Sequence, residues 1–200
     1  MPGGSDGRRG RGVTSPMDEI VRAATELFSR KGFHATTTQE LADAAGLVKG
    51  TLYYHIGSKE KLLFRIHQEV TEDGIRRWRE LAGRDLPAPE LLRLMVVEHC
   101  RVMDRHRDAV AIFSEEMKHL APALRRRLVA RRDVYHDLLE STIQRGVDRG
   151  ELRTPSARLA CLTILGMLNG MYRWYRPGGR LQPEEVGDLF SELVLRGLAA

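Results

Sequence analysis

Apolar residues recur at helical spacing along nearly the whole chain, and no stretch keeps the two-residue alternation of a half-buried strand. Glycine and proline interrupt this pattern at intervals that suit helices of ordinary length. The pattern predicts an all-α fold with nine helices and no sheet. Helices are predicted from Pro16 to Gly32, in two short segments between Thr37 and Gly57, and from Ser58 through Leu81; the later candidates are 91–106, 109–120, 123–149, 156–175 and 184–198.

Three helix starts carry capping residues. Ser15 precedes a proline at the first helical position and an aspartate three residues on. Thr37 and Glu40 have the spacing of a capping box, and Ser58 precedes the long fourth helix. We therefore predict a disordered tail at 1–14, a three-helix DNA-binding head at 15–62 with a helix-turn-helix at about 37–56, and a ligand-binding and dimerisation body at 63–200.

The composition of the 200-residue chain is that of a globular protein, with 42% hydrophobic and 30% charged residues. Its longest strongly apolar run, 159–171, is shorter than the ~18–20 residues that cross a bilayer, and no secretion signal precedes it. Cys100 and Cys161 lie in separate apolar helices without the spacing of a zinc site, so we expect buried reduced thiols. These features predict a cytoplasmic protein without a membrane segment.

Charge alone does not reveal a nucleic-acid partner. The formal net charge is +5, which mildly favours an anionic partner. Residues 15–60, however, hold five basic and six acidic side chains. A DNA interface in this segment therefore has to depend on where its charges and hydrogen-bond donors lie.

Residues 37–59 have the pattern of two short helices joined by a tight turn at Gly46. The first is predicted to bury Leu41, Ala42 and Ala45, and its two small alanines permit a close helix crossing. The second is predicted to bury Val48, Leu52 and Ile56, which are four residues apart. Such a second helix can lie in the major groove, where base edges present a sequence-specific pattern of donors and acceptors.

The opposite face of this second helix and two helix starts supply the candidate DNA contacts. Candidates for the bases are Lys49, Gly50, Thr51, Tyr53, Tyr54 and His55; candidates for the phosphates are Thr37, Thr38 and Lys59. Helix N-termini attract phosphates through unpaired N–H groups. Two alternatives stay open: the aromatic residues are ordinary packing residues, and Tyr53 supports the helix rather than touching DNA. Arg8, Arg9 and Arg11 suggest either a minor-groove arm or a solvated tail.

Residues 15 to about 65 resemble the DNA-binding domain of the TetR family of repressors. The resemblance lies in Leu27-Phe28 with Lys31-Gly32, in Thr36-Thr37, Leu41-Ala42 and Ala45-Gly46, and in the run from Gly50 through Leu63. It implies a nine-helix homodimer that binds a palindromic operator and leaves it when a small molecule enters the body. It also implies that the last two helices form the dimer interface.

The body resembles the family only loosely. Residues 156–175 are apolar nearly all round, which requires cover on most sides, either by a second copy or by the core of a monomer. Effector-binding candidates are residues of mixed chemistry on apolar helices: His99, Met103, Phe113, Met117, Tyr135, Met167, Asn169, Tyr172 and Trp174. Each of them is also a candidate for simple core packing.

The segment from Trp174 to Gly179, followed by the last helix with its run from Leu193 to Leu198, is similar to relatives that control lipid or steroid catabolism, which suggests an acyl-CoA or another lipid-like effector. A basic cluster is either a solvated face or a site for the phosphates of such a ligand: Arg125, Arg126, Arg127, Arg131 and Arg132. His99, His106 and His119 do not have the spacing of metal ligands, so no metal site and no cofactor are expected.

The sequence carries none of the common catalytic motifs, such as GxSxG, a P-loop or HExxH, so we predict no enzymatic activity. The preferred function is a sequence-specific transcriptional repressor. The alternative is a helical adaptor or ligand-binding protein without operator affinity. The effector, the operator sequence and the regulated genes do not follow from the sequence.

Overall fold

The computed structural model describes residues 15–117 and 120–198, and within them it contains nine α-helices and no β-strand. The helices are α1 Pro16–Lys31, α2 Thr38–Ala44, α3 Lys49–Ile56, α4 Lys59–Ala82, α5 Ala88–Arg105, α6 Arg107–Glu116, α7 Pro122–Asp148, α8 Ala157–Asn169 and α9 Pro183–Leu198. A short 3₁₀ turn, Gly170–Arg173, continues α8. The predicted all-α class and helix number are confirmed for this part of the chain.

The helix starts follow the capping residues of the sequence. Ser15 accepts a hydrogen bond from the Asp18 backbone N–H, and the Asp18 carboxylate accepts from the Ser15 N–H, which completes a capping box. Thr37 and Glu40 make the same reciprocal pair at α2. Each box satisfies backbone N–H groups that a helix start otherwise leaves without partners.

The head forms where α1, α2 and α3 pack on the first turns of α4. Their shared apolar cluster includes Ile20, Phe28, Leu41, Leu52 and Leu63, all nearly inaccessible to solvent. The cluster continues into the body through residues of α5, α6 and α7, among them Val102, Phe113 and Leu128. The head is therefore joined to the body by packed side chains as well as by the continuous helix α4.

A second apolar cluster holds the body together around α5. Trp78 of α4 is buried there and donates its indole N–H to the Met95 carbonyl at 2.9 Å. Helix α9 packs closely along α5. A Cβ at Gly187 would come within 2.7 Å of the Val97 Cα, so this approach depends on the missing side chain. Cys100 and Cys161 are buried free thiols, and burial raises their pKa values to about 12 and about 11.

Several predicted boundaries shift. Helix α5 begins at Ala88, three residues before the prediction, because Pro89 fits the first helical turn. Helix α6 ends at Glu116, before the predicted end. The predicted 156–175 helix ends at Asn169 and passes into the 3₁₀ turn. The tail at 1–14 with Arg8, Arg9 and Arg11, and also His119, lie outside the described residues.

Asp73, near the middle of α4, fixes that helix to the junction of α5 and α6. Its buried carboxylate accepts from Arg105 at 2.7 Å and lies 3.2 Å from the His106 Nε2. On α4 itself it also pairs with Arg76 and Arg77. Since α4 runs from the head into the body, this cluster sets where the helix lies relative to α5.

No helix of the described chain is long and apolar enough to cross a membrane.

Candidate DNA interface and effector cavity

The outer face of α3 is the most exposed aromatic surface of the head. The Tyr54 side chain is 87% exposed and its ring meets His55 edge-on at 5.5 Å. Lys49 and Gly50 are also exposed, while Thr51 and His55 are half-buried. Leu52 and Ile56 point into the core, as predicted. The predicted polar side of α3 is therefore open to solvent and free of core packing.

Val48 corrects the predicted burial pattern. It was expected on the buried side with Leu52 and Ile56, but it is 73% exposed. The reason is that Val48 is the N-cap of α3 and has an extended backbone, so the helical spacing does not apply to it. An exposed valine beside Lys49 adds an apolar contact to the same surface, which periodicity alone did not indicate.

The turn between α2 and α3 fixes the position of that surface. Gly46 has a φ of +66°, which favours glycine, and the Leu47 N–H donates to the Ala42 carbonyl at 2.8 Å. The Tyr53 hydroxyl lies 3.4 Å from the Thr38 Oγ1, across the two helices. Tyr53, at 42% exposure, thus has a supporting contact as well as an accessible ring.

The start of α2 is a dense network around Glu40. Its carboxylate accepts from both the N–H and the hydroxyl of Thr37, at 2.8 and 2.9 Å, and pairs with Lys31. The Lys31 ammonium, followed by the Thr37 contacts, lowers the pKa of Glu40 to about 2. The Thr37 hydroxyl is therefore engaged within the helix cap.

The Lys59 ammonium lies on the loop between α1 and α2. It donates to the carbonyls of Phe33 and Thr36 at 2.7 and 2.8 Å and lies 3.4 Å from that of His34. It also lies 4.5 Å from the centre of the Phe33 ring, and burial lowers the pKa of Lys59. The side chain that we expected at a phosphate holds together the loop before α2.

A cavity of about 280 Å³ lies in the body, between α4, α5, α6, α7 and α8. Seven of the nine residues that we predicted for the effector line it: His99, Met103, Phe113, Met117, Tyr135, Asn169 and Tyr172. About half of the other lining residues are apolar, among them Val70, Val102 and Leu165, which suits a ligand with a large apolar part.

Met167 and Trp174 are corrections, because neither lines this cavity. Met167 lies in a groove between α8 and α9. Trp174 is half-exposed after the 3₁₀ turn and meets Phe190 of α9 edge-on at 6.0 Å. Helical spacing cannot separate these positions from cavity residues, because the helix ends before Trp174 and the apolar residues of α8 point to two sides.

Helix α4 forms one wall of the cavity through His67, Val70, Thr71 and Gly74, none of which was predicted. The His67 ring stacks on Phe113 of α6 with ring centres 3.4 Å apart. Burial lowers the pKa of His67 to about 4, so the ring is neutral at pH 7. A histidine inside an amphipathic helix carries little signal of such a role in sequence. Helix α4 therefore begins in the head and continues into the body, where it forms this wall of the cavity.

Tyr135, in the cavity wall, contacts both Trp78 and His99. Its ring stacks on Trp78, with ring centres 3.8 Å apart, and its hydroxyl lies 2.7 Å from the His99 Nδ1. Burial raises the pKa of Tyr135 well above its usual value and lowers that of His99 to about 4, with the Asn169 side chain opposing the latter shift. Both side chains are therefore neutral at pH 7.

The predicted basic cluster divides into different environments. Arg125 and Arg132 line the cavity. Arg131 pairs with Glu72 of α4, and Arg127 lies 4.9 Å from the centre of the Phe64 ring. Two of the five predicted arginines therefore line the cavity.

The outer sides of α8 and α9 expose leucines. Leu159 and Leu193 are 63% and 65% exposed, and Leu162 and Leu189 are also exposed. A shallow groove between the two helices is lined by Leu159, Ile164, Met167, Leu193 and Val194. A contiguous apolar face of this kind is typical of a protein interface.

Two family profiles cover most of the chain. Residues 20–66 match the profile "Bacterial regulatory proteins, tetR family", and residues 85–198 match "Tetracyclin repressor-like, C-terminal domain". The chain belongs to the TetR family of transcriptional regulators. This confirms the predicted resemblance, and because the family is not enzymatic it also confirms the prediction that the chain is not an enzyme. The adaptor alternative is not favoured.

The matches to relatives of this TetR-family protein extend over nearly the whole length of both chains. The HTH-type transcriptional repressor KstR2 of Rhodococcus jostii (strain RHA1) is 31% identical over 191 residues, which are 94% of each chain. The structure of the TetR regulator PfmR from Thermus thermophilus has 35% identity and a TM-score of 0.83, covering 90% of this chain and 99% of PfmR.

The structure of a further relative contains both an acyl-CoA and DNA. The structure of AibR in complex with isovaleryl coenzyme A and operator DNA superposes with a TM-score of 0.78. Its sequence is 27% identical, and the match covers 90% of this chain and 97% of AibR.

Proposed function

We propose that this TetR-family protein is a homodimeric repressor that binds a palindromic operator through α3 and leaves it when an acyl-CoA or another lipid-like molecule enters the cavity. The observation that carries the proposal is the position of α4, which begins directly after α3 in the head and forms a wall of the cavity. A DNA-binding regulator of this kind works in the cytoplasm, where the operator is.

The DNA contacts are proposed for the open face of α3 and for the two flanking helix starts. Tyr54, Lys49 and Gly50 reach the bases or their phosphates, and the half-buried Thr51 and His55 lie beside them. Tyr53 and Thr38 hold α2 against α3, and their hydroxyls remain near the surface. Thr37 and Lys59 act mainly as positioning residues, because their side chains are engaged within the head.

The dimer is proposed to form through the exposed leucines of α8 and α9. Two recognition helices occupy successive major grooves only when they are ~34–36 Å apart, so a fixed dimer is needed for operator binding. Gly166 of α8 adds to this interpretation, since a Cβ there would meet no atom within 4 Å and a neighbouring helix is free to approach.

The effector is proposed to act on α4 through His67 and Gly74. A ligand shifts the protein between two states only if it binds them with different affinity. A ligand that packs against His67 and Phe113 favours a separation of α4 and α6 that differs from that of the ligand-free protein. The position of the head changes with it. The AibR complex with isovaleryl coenzyme A supports an acyl-CoA, and Arg125 and Arg132 supply charge for its phosphates.

The test uses double-stranded DNA selected by the protein from a random-sequence pool. We expect a palindromic consensus, bound with an affinity that falls as salt is raised. Tyr54→Ala should weaken binding to the selected DNA at least about 5-fold, as expected for a base or phosphate contact worth about 1–3 kcal/mol, without loss of thermal stability. Leu181→Ala, a truncation of another exposed side chain outside the head and outside the cavity, is the control and should leave DNA affinity unchanged.

The effector arm adds acyl-CoAs of increasing chain length to the complex with selected DNA. Release by at least one chain length supports the proposed effector class. Failure to select any DNA sequence would contradict the repressor function, and stable complexes at every chain length would remove acyl-CoAs as the effector class.

A further inference from the structure

The polar side chains of the cavity include a buried hydrogen-bonding atom without a partner. The His99 Nε2 has no hydrogen-bond partner among the described residues, although the His99 side chain is nearly inaccessible to solvent. Buried polar atoms are almost always paired in folded proteins, and an unpaired one costs about 1–3 kcal/mol. Such an atom in the wall of a cavity indicates that a bound molecule provides the missing partner.

The other ring nitrogen of His99 determines what that partner must be. Tyr135 is buried and keeps its phenolic proton at pH 7, and its hydroxyl contacts the His99 Nδ1 at 2.7 Å. If Tyr135 donates to Nδ1, the neutral imidazole carries its proton on Nε2 and only one group is left unpaired. The opposite tautomer would leave both the phenolic proton and the Nε2 lone pair without partners. The contacts therefore favour an Nε2–H donor.

Resting on the proposed function of this cavity, we propose that its ligand is an apolar molecule with a carbonyl oxygen, as in a ketone or a thioester, and that the His99 Nε2–H donates to this oxygen. The Asn169 side-chain amide lines the same cavity and interacts with the His99 ring closely enough to oppose the lowering of the His99 pKa, but it does not complete a hydrogen bond to Nε2. It offers a second polar group beside that nitrogen. An apolar molecule without such an oxygen leaves the His99 Nε2–H unpaired and therefore binds more weakly.

The tautomer is tested first, without any ligand. Long-range ¹H–¹⁵N NMR of the imidazole rings distinguishes a protonated Nε2 from a protonated Nδ1. We expect His99 to be neutral at pH 7 with its proton on Nε2, and Tyr135→Phe to remove this preference. Tyr135→Phe also keeps the ring that stacks on Trp78, which limits the effect on packing. A proton on Nδ1 in the wild-type protein would overturn the proposal.

The ligand is tested with two probes of the same shape, 2-acetylnaphthalene and 2-isopropenylnaphthalene, which differ only in a carbonyl oxygen and a methylene group. Ligand-detected NMR titration gives both dissociation constants for the wild-type protein and for His99→Phe. We expect the preference for the ketone to fall by about 5- to 10-fold in His99→Phe, the size of one net hydrogen bond. Met103→Leu, also in the cavity wall, should change both constants alike.

An equal preference in wild type and His99→Phe would overturn the proposal, and so would the absence of binding by both probes. If His99→Phe does not fold, the comparison is made with Tyr135→Phe, for which a smaller loss of preference is expected. No DNA is present in these titrations. A failed ketone preference therefore leaves operator binding untouched, and a failed operator selection leaves the ketone result standing.

Discussion

The ring of Tyr135 on α7 lies so close to Gly74 on α4 that a Cβ at position 74 would come within 2.9 Å of the Tyr135 Cε2. The ring cannot easily move away, because Trp78 stacks on one face and His99 contacts the hydroxyl. The missing side chain at Gly74 thus lets the cavity wall of α7 rest directly on the helix that leads to the head.

Gly74→Ala is expected to lower the free energy of unfolding by about 1 kcal/mol. Overpacking of a filled core costs about 1–3 kcal/mol, and the higher helix propensity of alanine returns up to about 1 kcal/mol. Urea denaturation at one fixed protein concentration measures the change. Gly50→Ala is the matched control, because a Cβ there meets no atom within 4 Å. A Gly74→Ala protein as stable as the wild type would contradict the close contact.

Lys59→Met is expected to destabilise the head by about 1–3 kcal/mol, since it leaves the Phe33 and Thr36 carbonyls without their donor. Methionine keeps much of the apolar stem, so the loss reports mainly on the ammonium. Hydrogen exchange of the 33–37 backbone should increase in the same variant. Lys61→Met, an exposed lysine two residues further along α4, should change neither quantity. Unchanged exchange in Lys59→Met would show that the ammonium does not hold the loop.

Stability is expected to fall as the pH drops from about 6.5 towards 4. His67 and His99 are buried and have pKa values of about 4, lowered from 6.5 by desolvation. In that interval the unfolded chain takes up protons that the folded protein does not, so folding is progressively disfavoured, by at most about 3 kcal/mol for each histidine. Well above pH 6.5 both histidines are neutral in the folded and in the unfolded chain, so this penalty on folding is absent.

The pH dependence is tested with His99→Gln, which cannot be protonated. Urea midpoints at pH 7.5 and pH 5 should differ less in His99→Gln than in the wild type. Met103→Leu provides the control in the same cavity and should keep the wild-type difference. An undiminished pH dependence in His99→Gln would mean that His99 takes up its proton equally well in the folded protein.

Leu193→Glu is expected to convert the proposed dimer into a monomer. The side chain is 65% exposed on α9, so the fold of one copy tolerates the charge, whereas a dimer interface would bury it unpaired. Light scattering after size-exclusion chromatography gives the mass. Val48→Glu, an equally exposed aliphatic position on the head, should remain dimeric and lose DNA affinity. A dimer that survives Leu193→Glu would place the interface elsewhere.

The local structure of the head was determined by the sequence itself. Ser15, Thr37 and Ser58 cap the helices that the sequence predicts, because a capping hydroxyl needs only a backbone N–H two or three residues away. Gly32, Gly46 and Gly57 all have positive φ and end their segments as predicted. The burial of Leu52 and Ile56 follows from spacing within a single helix.

The positions of Lys59, Met167 and Gly74 were decided only by the tertiary structure. Lys59 turns towards carbonyls 23 and 26 residues away in the chain. Met167 lies on the side of α8 that faces α9, and Gly74 accommodates a ring from α7. Periodicity records whether a residue belongs to an apolar face, but not which other helix packs there. Cavity, interface and helix–helix contact therefore look alike in sequence, and only the packing of distant segments separates them.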